Sequence, residues 1–164
     1  MVKYYINREE QFLADLFFQK KKIGKKDVDG IDCEKLIQIS SEYLLIPLLY
    51  STICKNKLIN FFPKELIKYI KTIYLINKNR NKLIVIESKE ISKKLNENNI
   101  NHVILKGASY IHSKVYDDIG ERMIGDIDIL VDKNKIETAT LIIKKSGYKF
   151  IQNESNFFNQ TYRH

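Results

Sequence analysis

The stretch VILKGASYIHSKVYDDIGERMIGDIDILVD, residues 103–132, decides the fold of this chain. It opens with the apolar run Val103–Leu105 and closes with the apolar run Ile129–Val131, and we predict that both are buried strands. A helical pattern of about nine residues follows Gly107. Glycine between a strand and a helix indicates a tight turn. The stretch therefore predicts a strand, a turn, a helix and a second strand.

Two aspartates, Asp126 and Asp128, come just before the second apolar run. Side chains in a strand repeat every two residues, so we predict that both carboxylates lie on one face and Ile127 on the other. Neighbouring carboxylates repel each other unless a cation lies between them. A hard divalent ion prefers oxygen ligands, and the pair therefore indicates a Mg²⁺ site.

The turn at Gly107 indicates a phosphate-binding site. A strand that turns into a helix presents free backbone N–H groups and the positive end of the helix dipole. Because Gly107 has no side chain, a phosphate can approach the backbone, and Ser109 adds a hydroxyl donor in the first turn. Together with the two aspartates, this turn predicts a site for a metal–nucleoside triphosphate complex.

The stretch resembles the DNA polymerase β-type nucleotidyltransferase superfamily, whose signature is a Gly-Ser or Gly-Gly turn followed by an Asp-x-Asp or Asp-x-Glu strand. More closely, it is similar to the uncharacterised bacterial nucleotidyltransferase family, in which a helical N-terminal region precedes a Lys-Gly turn and an Asp-Ile-Asp strand. The likeness extends over about residues 43–148. The residues that carry it are Leu105-Lys106-Gly107-Ala108, Tyr116, Arg122 and Asp126-Ile127-Asp128-Ile129-Leu130-Val131.

The resemblance implies an enzyme that transfers a nucleoside monophosphate from a Mg²⁺-bound nucleoside triphosphate to an acceptor and expels pyrophosphate. The acceptor is a protein, an RNA or a small molecule, and no motif identifies it. Asp126 and Asp128 are then the catalytic residues and bind the Mg²⁺ cofactor. The nucleotide-binding residues that it implies are Lys106, Gly107, Ala108, Ser109 and Arg122.

Several of these residues have a second interpretation. In this interpretation the aspartates are solvated acids at a strand edge, and Gly107 is only a turn residue. Arg122 reaches a phosphate or forms a surface salt bridge with Asp118 or Glu121. Strand alternation does not determine to which face of the sheet the Lys106 side chain points. His112 is favoured as a residue of the helix surface rather than as a catalytic base.

The chain departs from the superfamily pattern at three points. Ala108 stands where the superfamily usually has serine, and the spacing from Gly107 to Asp126 is longer than usual. The third carboxylate of the superfamily is missing, because Glu154 is the only acid after Glu137 and lies in a turn-like polar stretch. We therefore expect a piece of a longer protein, and leave open whether this piece catalyses. The alternative function is an inactive module that binds nucleotides or associates with proteins.

Residues 1–100 predict a helical region. The longest predicted helix continues through the run Asn77–Asn81, which is polar on all sides, because neither proline nor glycine interrupts it. Asp32 and two prolines supply helix starts. The predicted elements are helices from Asn7 to Lys20, after Asp32, from Pro47 and from Pro63 to about Asn96, with connections at Lys25–Gly30 and Asn56–Phe62.

The C-terminal part predicts one more helix, which we expect to stop at Gly147, and a third strand at Tyr148–Ile151. The fold class is α+β. A helical N-terminal region, residues 1–100, precedes a small mixed β-sheet with flanking helices, residues 101–164. In terms of the resemblance, this second part is a partial nucleotidyltransferase core, incomplete at its C-terminus.

Composition and net charge indicate the class of protein, its location and its possible partners. A hydrophobic content of 44% predicts a globular fold. No apolar run reaches the roughly 18 residues of a transmembrane helix, and no signal peptide is evident, so we expect a cytoplasmic protein without a membrane partner. Cys33 and Cys54 are isolated, which predicts reduced thiols. The net charge of +8 makes nucleic acid a possible partner, but scattered surface lysines are the favoured explanation.

Overall fold

A computed structural model describes residues 6–19 and 21–149. Helices dominate the first part of the chain, and two short strands follow. The helices of the first part are α1 (Arg8–Phe17), α2 (Lys25–Val28), α3 (Cys33–Glu42), α4 (Ile46–Lys55) and α5 (Lys64–Glu97), with a 3₁₀ turn at Ile59–Phe61. The later elements are β1 (His102–Leu105), α6 (Lys106–His112), β2 (Asp128–Val131), a 3₁₀ turn at Lys133–Lys135 and α7 (Ile136–Lys145).

Backbone contacts divide the chain into two compact units, each considered so far as the structure describes it. One unit comprises residues 1–88 and 104–128, and the other comprises residues 89–103 and 129–164. The predicted division near residue 100 follows a different criterion, the change from helices to strands, and it stays a prediction.

Local sequence chemistry accounts for the first helix starts. The side chain of Asn7 accepts a hydrogen bond from the Glu10 N–H at 2.9 Å, and the Glu10 carboxylate accepts one from the Asn7 N–H at 2.8 Å. This reciprocal capping box satisfies two N–H groups that have no partner inside α1. Asp32 caps α3 by accepting from the N–H groups of Glu34 and Lys35. The predicted N-cap at Asp32 is therefore confirmed.

The prolines and one aspartate explain the next boundaries. The predicted helix starts at Pro47 and Pro63 are each correct to within one residue, since α4 begins at Ile46 and α5 at Lys64. The predicted connection Lys25–Gly30 is wrong in part, because it contains helix α2. Asp27 stabilises this short helix by accepting a hydrogen bond from the Gly24 N–H at 2.8 Å.

The core of the first unit is formed by α1, α3, α4 and the beginning of α5. Its buried apolar residues lie at helical spacing on the inner faces of these helices, so burial of these side chains holds the unit together. The side chains with the lowest exposure in this core are Leu16, Leu36, Leu49, Ile53 and Ile70.

Helix α5 is a single helix of 34 residues, which confirms the predicted continuity. Its buried face is not entirely apolar, because the polar run at Asn77–Asn81 contributes to it. Asn77 is 3% exposed and Asn81 is fully buried. The buried side chains of α5 are Ile70, Asn77, Asn81, Ile84, Ser88, Ile91 and Leu95. No helix of the described part of the chain, α5 included, has the length and apolarity needed to cross a membrane.

Asn77 uses its buried amide to hold the loop before β2. This loop, residues 117–125, is called the 117–125 loop below. The Nδ2 atom of Asn77 donates to the carbonyl oxygen of Gly120 at 2.8 Å and to that of Arg122 at 2.9 Å. Backbone carbonyls in a loop have no regular partners, so donors from a neighbouring helix satisfy them.

Asn81, one turn further along α5, repeats this arrangement. Its Nδ2 donates to the carbonyl oxygens of Ile119 at 2.6 Å and Arg122 at 2.7 Å. Arg80 donates to the carbonyl oxygen of Gly125 at 3.1 Å. Within the described residues, the side-chain oxygens of both asparagines lack hydrogen-bond partners, so their donors alone orient the amides. We call the contacts of Asn77 and Asn81 with the loop carbonyls the asparagine clamp.

Charged side chains hold the same loop. Glu121 is 4% exposed, and its Oε1 accepts from Ser51 Oγ at 2.6 Å and lies 2.7 Å from Lys55 Nζ. Lys78 Nζ lies 2.6 Å from the Oδ2 of Asp118. The buried carboxylate of Glu121 therefore has both a cation and a hydroxyl donor, which offsets the cost of removing it from water.

Gly120 allows the loop to approach α5 closely. A Cβ atom at this position would lie 2.7 Å from the ring of Tyr74 and 3.0 Å from the Cβ of Lys78. Any larger residue would push the loop away from the helix, so glycine is required for close packing here.

Strands β1 and β2 pair in a two-stranded sheet. Tyr148 and Lys149 lie outside any strand, and the rest of the predicted third strand, residues 150–151, lies outside the described residues. The predicted stop of the last helix agrees with the structure, since α7 ends at Lys145 and Gly147 has a φ of +97°. The described residues thus show an α+β fold, while the mixed sheet stays a prediction.

The asparagine clamp predicts a large stability difference between two asparagines of α5. Asn81→Ala removes two part-buried hydrogen bonds, to the carbonyl oxygens of Ile119 and Arg122, and we expect it to lower the free energy of unfolding by about 2 kcal/mol. Asn79→Ala is the matched control, because Asn79 lies on the same helix and is exposed. Urea denaturation of both variants measures the difference. Equal midpoints would show that the clamp does not stabilise the fold.

Candidate functional site

The corner between β1 and β2 brings Lys106 and Asp128 together. Lys106 directly follows β1, and Asp128 is the first residue of β2. Because the two strands pair, the side chains meet, and Lys106 Nζ lies 3.0 Å from Asp128 Oδ1. The lysine side chain is 73% exposed and the aspartate side chain 27% exposed. The corner therefore carries an ion pair that remains open to solvent.

Asp126 contributes its charge to the same place. The hydrogen bond from Lys106 to Asp128 raises the pKa of the lysine, and the negative charges of Asp128 and then Asp126 add to this rise. The ammonium group is therefore protonated at neutral pH. The two aspartates and Lys106 together are called the carboxylate corner below.

Only one of the two aspartates lies within a strand. Strand β2 begins at Asp128, and Asp126 precedes it. Lys106 is hydrogen-bonded to Asp128, and the charge of Asp126 acts on the same ammonium group. The predicted arrangement of both carboxylates on one strand face stays a prediction.

Lys106 has an unusual backbone conformation. Its φ is +50°, in the left-handed region that residues with a Cβ rarely adopt. Helix α6 begins at this residue and comprises seven residues, fewer than predicted. The left-handed turn interrupts strand alternation, and this is why alternation did not determine the direction of the lysine side chain.

Gly107 and Ala108 pack the corner against its surroundings. A Cβ atom at Gly107 would lie 3.2 Å from Cγ1 of Ile124, so the missing side chain leaves room for that isoleucine. Ala108 is 1% exposed and packs with Ile84 and Ile124. A serine hydroxyl at Ala108 would be buried among apolar groups, which is unfavourable without a partner. Only the backbone of these two residues remains to meet a ligand.

Ser109 lies in the first turn of α6 and is half-buried. Its carbonyl oxygen accepts from Ser113, and its hydroxyl makes no hydrogen bond with the described residues. The hydroxyl therefore has its donor capacity available. His112, further along α6, lies 2.7 Å from the buried Ser88 Oγ through its Nε2. This contact agrees with its predicted place on the helix surface.

Arg122 presents an exposed guanidinium group from a fixed backbone. Its carbonyl oxygen accepts from both asparagines of the clamp, while its side chain is exposed. The alternative salt bridges to Asp118 or Glu121 are wrong, because these carboxylates pair with Lys78 and Lys55. Within the described residues Arg122 forms no ion pair, and no contact joins it to the carboxylate corner.

The donor set of the corner fits Mg²⁺ in number and kind. Asp126 and Asp128 offer carboxylate oxygens that reach solvent. Mg²⁺ in proteins commonly binds one or two carboxylates, phosphate oxygens and several waters. Among residues 6–19 and 21–149, no group of three His, Cys, Asp or Glu residues is placed to hold a metal ion. Glu154, the only acid after Glu137, lies outside the described residues.

The asparagine clamp was not predicted from the sequence. A signal for it existed, since Ile70, Asn77, Ile84 and Ile91 recur every seven residues, so Asn77 falls on the buried face in register. The pattern of apolar residues alone did not indicate that Asn77 and Asn81 face the core. A buried polar residue at the same helical spacing as the apolar ones indicates a specific hydrogen-bond partner.

Comparison with known proteins identifies the family. A family model described as an uncharacterised nucleotidyltransferase matches residues 29–164, which include the carboxylate corner and the asparagine clamp. A search of curated proteins and a search of solved structures found no match. The chain belongs to the uncharacterised nucleotidyltransferase family.

Proposed function

We propose that this chain carries the catalytic corner of an enzyme that transfers a nucleoside monophosphate from a nucleoside triphosphate to an acceptor. Family membership supports the reaction class. The observation that carries the proposal is the carboxylate corner, where Lys106 lies 3.0 Å from Asp128 and within the electrostatic reach of Asp126. A polymerase β-type core is the architecture that we propose around it.

The two aspartates have the metal-binding role in this proposal. Asp126 and Asp128 would hold Mg²⁺, which when bound neutralises the negative charge of the triphosphate. Asp128 lies at the start of β2 and pairs with Lys106, whereas Asp126 is exposed. Both carboxylates reach solvent, so each can contribute an oxygen ligand to a Mg²⁺ ion that keeps several waters.

The phosphates are bound by donors around the corner. The backbone N–H groups of Gly107 and Ala108 and the hydroxyl of Ser109 supply neutral donors. Lys106 supplies a positive charge, and the exposed guanidinium of Arg122 supplies a second one with the fork geometry that suits phosphate oxygens. The acceptor then attacks the α-phosphorus in line, and pyrophosphate leaves. The acceptor is a protein, an RNA or a small molecule.

A non-catalytic module is the second candidate. The observation that favours it is the set of only two carboxylates at the corner among the described residues, because a third acid would deprotonate the acceptor or hold a second metal ion. Such a module would bind the metal–nucleotide complex, or associate with other proteins, without transferring the nucleotidyl group.

Metal-dependent nucleotide binding is the first test. We expect Mg²⁺ with one of ATP, GTP, CTP or UTP to raise the melting temperature of the wild-type chain, since a ligand at about 100 times its Kd stabilises by about 2.7 kcal/mol. Asp126→Ala should lose this rise and keep the melting temperature of the free protein, because the residue is exposed. Thermal shift with and without Mg²⁺ measures it. A rise that survives in Asp126→Ala would place the ligand elsewhere.

Kinetic variants separate binding from turnover. Arg122→Ala should raise the KM for the nucleotide about tenfold with little change in kcat, because the charge contacts ground and transition states alike. Asp128→Asn should abolish metal-dependent turnover. Transfer of radiolabel from an α-labelled triphosphate to protein, RNA or small-molecule acceptors is the assay. Thermal shifts without any label transfer would favour the module.

A further inference from the structure

We propose that Lys106 is an internal counter-ion that substitutes for the divalent cation in the metal-free protein and moves from Asp128 to the triphosphate when the metal binds. This inference rests on the proposed function, because it concerns the same corner. It adds that the Lys106 side chain exchanges Asp128 for the triphosphate. It predicts that Lys106 weakens metal binding and strengthens nucleotide binding.

Charge at the corner supports this exchange. Asp126 and Asp128 lie two residues apart, and neighbouring carboxylates repel each other unless a cation accompanies them. Within the described residues, the ammonium of Lys106 lies 3.0 Å from Asp128 Oδ1 and is the cation that pairs with this corner. The ion pair compensates Asp128, and one negative charge remains to attract a divalent ion.

The ammonium group of Lys106 can leave Asp128. Its side chain is 73% exposed, so water screens the ion pair and replaces the hydrogen bond when the pair opens. Asp128 is its hydrogen-bond partner, and no other described side chain holds it. A flexible stem of four carbons lets Nζ move several ångströms without backbone change. A divalent ion, with twice the charge, can therefore displace Lys106 from the carboxylate.

The released ammonium group starts close to the proposed phosphate position. Lys106 precedes Gly107, so its side chain starts beside the backbone N–H groups proposed to bind phosphate. The side chain can therefore move from Asp128 to a phosphate oxygen without a change of the backbone.

The exchange has two measurable consequences of opposite sign. Without nucleotide, Lys106 competes with the metal for Asp128, so removing its charge strengthens metal binding. With nucleotide and metal present, Lys106 contributes to phosphate binding, so removing its charge weakens nucleotide binding. A lysine that only stabilises the fold, or only binds phosphate, does not produce both changes.

The experiment compares Lys106→Met with wild type, using Mn²⁺ as the probe. Electron paramagnetic resonance measures free Mn²⁺ in titrations without nucleotide, and we expect Lys106→Met to bind roughly fivefold more tightly, the scale of an exposed ion pair. In saturating Mg²⁺, a non-hydrolysable triphosphate should bind Lys106→Met about tenfold more weakly by calorimetry, the scale of a charge-assisted hydrogen bond. Asp128→Asn should lose Mn²⁺ binding.

Two further variants keep the result interpretable. Lys82→Met is the matched control, because Lys82 is exposed on α5 and forms no ion pair with a described residue, and its affinities should equal those of wild type. Lys106→Arg keeps the charge and should bind Mn²⁺ as wild type does, which excludes a disturbed fold as the cause of tighter binding. Equal Mn²⁺ affinity of wild type and Lys106→Met, with binding lost in Asp128→Asn, overturns the exchange and leaves the proposed function standing. Absence of Mn²⁺ binding in every variant overturns both.

Discussion

The hydrogen bonds from the buried amides of Asn77 and Asn81 to backbone carbonyls are the constraint on which the candidate site depends. The 117–125 loop has no strand or helix of its own, so its carbonyl groups need donors from elsewhere. Two amides one turn apart on α5 supply four such bonds within 2.9 Å. The loop leads directly to the aspartates, so the hydrogen bonds to its carbonyl groups hold the backbone that precedes them.

Ion pairs and apolar packing also fix the loop that the asparagine clamp holds. Glu121 is buried against Lys55 and Ser51, which ties the same loop to α4. On the other side, Ile124 fills the space left by Gly107, so the end of the loop and the turn after β1 fit against each other. The carboxylate corner is exposed, but the segments that carry it are fixed by buried contacts. Such support is what a binding site requires to hold its ligands in a defined geometry.

Features encoded locally could be predicted from the sequence. Asp32, Pro47 and Pro63 mark helix starts through chemistry that acts within one turn, and the absence of proline and glycine predicted the continuity of α5. The asparagine clamp could not be predicted in this way. Each asparagine lies 38 to 45 residues away in sequence from the carbonyl groups that it binds. The residue type alone does not indicate whether an asparagine faces water or a backbone carbonyl.

The site shows the same division. The aspartate pair and the Lys-Gly turn were predicted, because strand patterns and turn glycines are visible within a few residues. The ion pair of Lys106 with Asp128 depends on the pairing of β1 with β2 and on the left-handed conformation of Lys106 at the start of α6. Neither has a local signal. Alternation along a strand predicts side-chain direction only while the backbone remains extended, and here it ceases to be extended one residue before the glycine.

The way in which the clamp binds the loop has a consequence for the evolution and engineering of this protein. Carbonyl oxygens are common to all residues, so Asn77 and Asn81 recognise the path of the loop and not the identity of its side chains. Position 122 can therefore exchange its side chain without loss of anchoring, whereas position 120 cannot, because the ring of Tyr74 occupies the space beside it. The exposed side chain at position 122 is therefore free to vary while the glycine at position 120 maintains the path of the loop.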